Sequence, residues 1–151
     1  VSHMTDPGFW DVLAVSKDVV IASHSNCRAI CSATRNLTDD MIKALAEKGG
    51  VIGVNYAQFF LLDRKEMVSG KVPTVETVID HIDHMVKVTG STDNIGLGSD
   101  FDGVPTMAQG LEDTSKLPNL TKALVARGYS DQDVEKILGG NFLRVIKKVW
   151  K

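Results

Sequence analysis

Three polar residues in this sequence stand directly behind short apolar runs. His24 follows Val19-Val20-Ile21-Ala22-Ser23, Asn55 closes Val51-Ile52-Gly53-Val54, and Asp100 follows Asn94-Ile95-Gly96-Leu97-Gly98 and Ser99. A fourth, His3, sits in Val1-Ser2-His3-Met4, where the stub of another strand is expected to end. In parallel α/β folds the carboxyl ends of the strands are where ligands bind. An imidazole and a carboxylate at neighbouring strand ends are half of a metal site. Spacing alone leaves that reading open beside a plainer one, in which these are solvated strand-end residues.

The elements that must carry these residues follow from the apolar patterning. The three runs above read as strands, rich in Val and Ile and lacking polar/apolar alternation, as expected for parallel strands buried on both faces. Between them lie helical patterns. Thr38 is an N-cap followed by Asp39 and Asp40, with Met41, Ile42, Leu45 and Ala46 at helical spacing and a stop at Gly49-Gly50. A longer helix is expected from Thr74 to Gly90, with Val75, Val78, Ile79, Ile82, Met85 and Val86 on one face. Tyr56 to Pro73 reads as a loop with apolar content. Leu120–Arg127 closed by Gly128, a start at Ser130 and Asp133, and Asn141–Trp150 read as three further helices. Strands alternating with helices give an α/β fold with a parallel sheet. A sheet of only three strands leaves two open edges, which implies a covering partner.

Composition narrows the partner classes. The 151 residues hold 17 Lys+Arg against 19 Asp+Glu, a formal charge of −2, so neither nucleic acid nor an anionic membrane is announced. No apolar stretch approaches the ~20 residues of a membrane helix, and no signal-peptide pattern opens the sequence. Cys27 and Cys31 are the only cysteines and read as reduced thiols, for which a cytoplasmic setting is expected.

Several blocks go beyond spacing. Ile21-Ala22-Ser23-His24-Ser25-Asn26, Arg35-Asn36-Leu37-Thr38-Asp39 and Gly49-Gly50-Val51-Ile52-Gly53-Val54-Asn55 resemble the renal (membrane) dipeptidase family. So do Asp80-His81-Ile82-Asp83-His84, Gly96-Leu97-Gly98-Ser99-Asp100-Phe101-Asp102-Gly103 and Gly139-Gly140-Asn141-Phe142-Leu143-Arg144-Val145, all in family order. The resemblance implies a (β/α)8 TIM-type barrel, a metal-dependent dipeptidase with two zinc ions at the strand ends. A complete barrel needs about 250 residues. Residues 1–151 therefore match a single partial domain, the C-terminal half of the barrel, with its last three full strands and the stub of the one before.

The resemblance also assigns roles. His3 and His24 match two histidines that bind one metal. Arg35 matches the arginine that grips the substrate's terminal carboxylate, a task suited to a guanidinium fork. Asp100 matches the acid facing the metal-bridging water and the substrate amino group. The family's early His-x-Asp pair, its bridging carboxylate and a further histidine belong to the N-terminal half; the one His-x-Asp tripeptide here, His81-Ile82-Asp83, lies within the expected Thr74–Gly90 helix. The expected partners are a dipeptide and an N-terminal barrel half or a second copy. The alternative is a non-catalytic half-barrel assembly module, or an inactive fragment.

Other residues receive plainer readings. His81 and His84, at i and i+3 beside the apolar stripe, could grip a metal but read as packing or helix-surface histidines. Asp102-Gly103 reads as a turn, and Asn55 as a structural hydrogen-bonder. Arg28 is open between substrate contact and a solvated loop. Lys147, Lys148 and Lys151 suit the end of a helix dipole.

Overall fold

A computed structural model describes residues 1–150. Its centre is a two-stranded parallel sheet, β1 (Ile52–Asn55) and β2 (Ile95–Ser99), surrounded by helices. The helices are α1 (Asp6–Val15) and α2 (Asp39–Glu47) before β1, and α3 (Gln58–Leu61), α4 (Arg64–Val68) and α5 (Val75–Thr89) between the strands. After β2 come α6 (Pro118–Arg127), α7 (Asp131–Glu135) and α8 (Asn141–Val149).

Local chemistry sets the boundaries. Thr38 Oγ1 accepts the Met41 amide at 3.3 Å, and Asp39 and Asp40 place negative charge at the positive end of α2. Thr74 starts α5, its amide donating to Thr77 Oγ1 at 3.1 Å, and Gly90 ends it with φ +72. Ser130 Oγ accepts the Asp133 amide at 3.2 Å to open α7. The buried stripe of α5, Val78, Ile79, Ile82 and Met85, packs against α2 (Met41, Ile42, Leu45) and α6 (Leu120, Leu124). Burying each of these side chains contributes about 1.5–3 kcal/mol.

Three expectations change. Val19–Ser23 is not a full strand. Only Ala22 bridges β1, through Ala22 N–H to Val51 O (3.0 Å) and Gly53 N–H to Ala22 O (2.8 Å). Its one sheet neighbour is β1, and regular pairing does not extend beyond that bridge. The segment expected as a loop after Tyr56 contains the helical turns α3 and α4. Asp6–Val15 is a helix the spacing did not announce, capped by Thr5 Oγ1 on the Gly8 amide at 3.3 Å and burying Phe9 and Leu13.

Two glycines let the chain before His24 lie on the sheet. A Cβ on either Gly53 or Gly98 would fall 2.2 Å from the Ser23 carbonyl oxygen. Ser23 can approach only because both strands lack side chains there. On the other side coverage is thinner. β1 is wholly buried, but Leu97, Gly98 and Ser99 of β2 are half-buried, and Leu143 and Ile146 of α8 and Trp150 after it are exposed.

Candidate active site

The strand ends converge. The Val1 nitrogen donates to Ile21 O at 2.6 Å and Ser2 Oγ accepts the His24 amide at 3.0 Å, so the first residues lie alongside Ile21–His24. That pairing brings His3 Nε2 within 2.8 Å of His24 Nε2, the rings edge to face with centroids 4.9 Å apart. Arg35, on the loop before α2, sets Nη2 3.0 Å from His3 Nε2 and Nη1 4.0 Å from Asp100 Oδ2. Asp100 Oδ1 lies 3.9 Å from His24 Nε2. His3, His24, Arg35 and Asp100, separated by up to 97 positions in sequence (100 − 3 = 97), thus form one cluster.

Electrostatics at the cluster follow from partial burial. Loss of water holds the His24 pKa below its ordinary value. Asp100 opposes that, while the positive charge of Arg35 acts with it. His24 is therefore kept neutral, the form in which imidazole binds a metal. Its Nδ1 is 2.7 Å from Ser23 Oγ, a hydroxyl able to accept Nδ1–H and leave Nε2 as a lone pair. Arginine can only donate, so its contact with His3 Nε2 marks that nitrogen as an acceptor as well. Zinc would take both nitrogens as lone pairs, in place of their direct 2.8 Å contact, within a set of about four ligands. Two of those would come from here. Among the described residues no group of three or more His, Cys, Asp or Glu is placed to hold a metal.

Arg35 is presented rather than buried in an ion pair. Its guanidinium carbon stacks 4.7 Å over the Phe60 ring. Burial lowers its pKa and the neighbouring Asp100 opposes this. An open cleft of about 430 Å³ runs beside it, lined by His3, Thr5, Asp6, Arg28 and Thr34 among others. A larger cavity of about 680 Å³ lies at the opposite end of the strands, against Gly49, Asn94 and Arg144, away from these groups. There Arg144 is already engaged, donating to Gly49 O and Asp93 O.

The remaining residues separate clearly. Arg28 forms a two-pronged ion pair with Asp6 (2.7 and 2.8 Å) and donates to Asn36 O and Thr34 O, so it ties α1 to the loop. His81 is fully buried, accepting the Cys27 amide on Nδ1 (3.1 Å) and donating from Nε2 to Leu61 O (3.0 Å). His84 pairs with Asp39 at 2.7 Å. Neither helix histidine reaches the cluster. Asp102 takes φ +63 in the turn, and both cysteines are free and buried. Spacing missed two supports of the cluster, Ser23 and Phe60. Ser23 is signalled only by its adjacency to His24, and Phe60, 25 positions from Arg35 (60 − 35 = 25), carries no chemical signature by itself.

Comparison with known proteins gives a consistent result. Residues 1–151 match the profile of the membrane dipeptidase family, peptidase family M19. The sequence is 40 % identical over 151 residues to an uncharacterised protein of the pqqA 5' region of Klebsiella pneumoniae, covering 100 % of this chain and 54 % of that one. It is 40 % identical over 149 residues to the dipeptidase tcpJ of Claviceps purpurea, covering 99 % and 34 %. Among solved structures, a metallopeptidase from Rhodobacter sphaeroides, liganded with a phosphinate mimic of L-Ala-D-Ala, superposes with a TM-score of 0.89. It is 36 % identical, over 99 % of this chain and 41 % of that one. The dipeptidase AC, a metallopeptidase, superposes at 0.88 with 36 % identity, over 99 % and 43 %. The chain thus spans between a third and just over half of these relatives.

Proposed function

The chain belongs to the membrane dipeptidase family, peptidase family M19, and on that footing we propose that residues 1–151 are a single partial domain. It is the C-terminal half of a (β/α)8 barrel whose complete form hydrolyses dipeptides. The observation carrying this reading is the convergence of His3, His24, Arg35 and Asp100 at one end of the strands.

In the proposed reaction His3 and His24 would hold one zinc, with further ligands and a second zinc contributed by the N-terminal half. When bound, the metal supplies a polarised peptide carbonyl and a water acidic enough to attack at neutral pH. Arg35, braced on Phe60, binds the substrate's terminal carboxylate and so sets a length that suits dipeptides. Asp100 takes the proton from the attacking water and returns it to the departing amine. Its Oδ1, 3.9 Å from His24 Nε2, supports that role.

The half-exposed end of β2, the exposed Leu143 and Ile146 of α8 and the exposed Trp150 behind it support an N-terminal half as the covering partner. Self-association is the competing outcome. The test mixes this chain with the N-terminal half of a family member in the presence of zinc and follows L-Ala-D-Ala hydrolysis. Activity in the mixture and in neither half alone is expected. A stable, zinc-loaded mixture without hydrolysis would reject the proposal.

A further inference from the structure

Asn55 is 1 % exposed and held at every polar atom. Its amide N–H donates to Asn26 Oδ1 (3.0 Å), and its carbonyl accepts from Asn26 Nδ2 (3.0 Å). Its side-chain Oδ1 accepts the Ala57 amide at 2.7 Å. A backbone N–H can only donate, so this contact fixes which end of the Asn55 amide is oxygen and turns Nδ2 the other way. Nδ2 then donates to Asp100 Oδ2 at 2.9 Å.

The sheet register makes that contact. Ile52, Gly53 and Val54 face Ile95, Gly96 and Leu97 in step, but Asn55 faces Ser99 and skips Gly98. Without this irregularity Asn55 would oppose Gly98, two residues short of Asp100. With it Asp100 is the next residue, and the chain turns there through φ +32 at Ser99 and +73 at Asp100. Irregular pairing that re-aims a side chain is common beside active sites. Positive φ at two consecutive non-glycine residues is backbone strain that the surroundings must hold in place.

We propose that Asn55 is a positioning residue for Asp100: its amide occupies Oδ2 and so leaves Oδ1 as the oxygen turned toward His24. The proposal rests on the reading of Asp100 as the proton-handling carboxylate and adds which oxygen does that work. The buried asparagines extend the device, since Asn26 and Asn36 both donate to Phe60 O (3.1 and 2.9 Å), beneath the guanidinium of Arg35. One amide network therefore sets both the acid and the platform of the cation.

Two measurements decide it. In ¹⁵N spectra of the 151-residue chain, the Asn55 side-chain NH₂ should show one proton shifted to low field and slow to exchange. Asp100→Ala should return it to the range of a free amide, and an unchanged signal would overturn the proposal. In the reassembled enzyme, Asn55→Asp keeps the acceptor for Ala57 but removes the donor to Asp100. It should lower kcat about 10- to 100-fold, the usual loss for a supporting partner of a catalytic group. KM should stay within about threefold, with an unchanged circular dichroism spectrum. A change in KM alone, or an unaltered kcat, would overturn the kinetic role. A wild-type assembly that hydrolyses no dipeptide counts against the proposed function, while the ¹⁵N signal still decides the role of Asn55.

Discussion

Acid should destabilise this protein in a window set by a histidine outside the His3–His24–Arg35–Asp100 cluster. His81 is fully buried, and its Nδ1 accepts the Cys27 amide while Nε2 donates to Leu61 O. A proton added to Nδ1 would set N–H against N–H and place a charge in the core. Burial is the main reason its pKa is pushed down to about 4, with the Leu61 contact and Asp80 opposing. The folded form thus binds this proton less readily than the unfolded chain, whose histidine titrates near 6.5. Stability is complete above about pH 6.5 and falls as the pH drops toward 4. At about 1.4 kcal/mol per pH unit, the loss approaches about 3 kcal/mol at pH 4. The carboxylates held low by their partners, such as Asp93 beside Lys136, contribute only at lower pH. His24, whose pKa is also lowered, shares the window.

The assay is urea unfolding at intervals from pH 7.5 to 4.5, for the wild type, His24→Gln, His81→Gln and the double variant. His81→Gln costs about 1–3 kcal/mol at neutral pH through a weakened hydrogen bond, but it should remove most of the pH slope. A His81 variant that loses as much stability on acidification as the wild type would refute the argument. The functional corollary is that acid loosens the Cys27 turn, three residues beyond His24.

Other outcomes follow from the same geometry. Gly53→Ala puts a Cβ 2.2 Å from Ser23 O and should cost about 1–3 kcal/mol in urea unfolding or prevent folding. Thr38→Ala removes the acceptor for the Met41 amide and should cost about 1 kcal/mol, read as a lower urea midpoint at constant slope. Arg35→Lys keeps the charge but loses the fork; in the reassembled enzyme KM should rise at least about tenfold, equivalent to about 1.4 kcal/mol, with the melting temperature unchanged.

Much of the fold was legible because its signals are local. Thr38, Thr74, Gly90, Gly128 and Ser130 mark helix ends through hydrogen bonds or left-handed backbone that depend on neighbouring residues. The apolar runs at Ile52 and Ile95 are strands with no polar alternation to misplace. Val19–Ser23 has the same composition, but strand formation needs neighbours, and its pairing is confined to the bridge with β1. The helix at Asp6–Val15 was missed because its stripe is weak, with Trp10 and Val15 exposed. At the cluster, His3, His24, Arg35 and Asp100 could be named from the resemblance, and they lie together in the structure. The contact between Asn55 and Asp100 was not legible, because it depends on a register irregularity between strands 43 residues apart (95 − 52 = 43).

The central claim is that this chain carries half of a metal site. Cobalt(II) titration followed by its visible spectrum tests it directly, with the chain alone, its His24→Ala variant, and the chain combined with an N-terminal half. The account predicts weak binding by the chain alone, lost in His24→Ala, and tight binding of two ions only in the combination. Tight, stoichiometric binding of two ions by the 151-residue chain alone would contradict it.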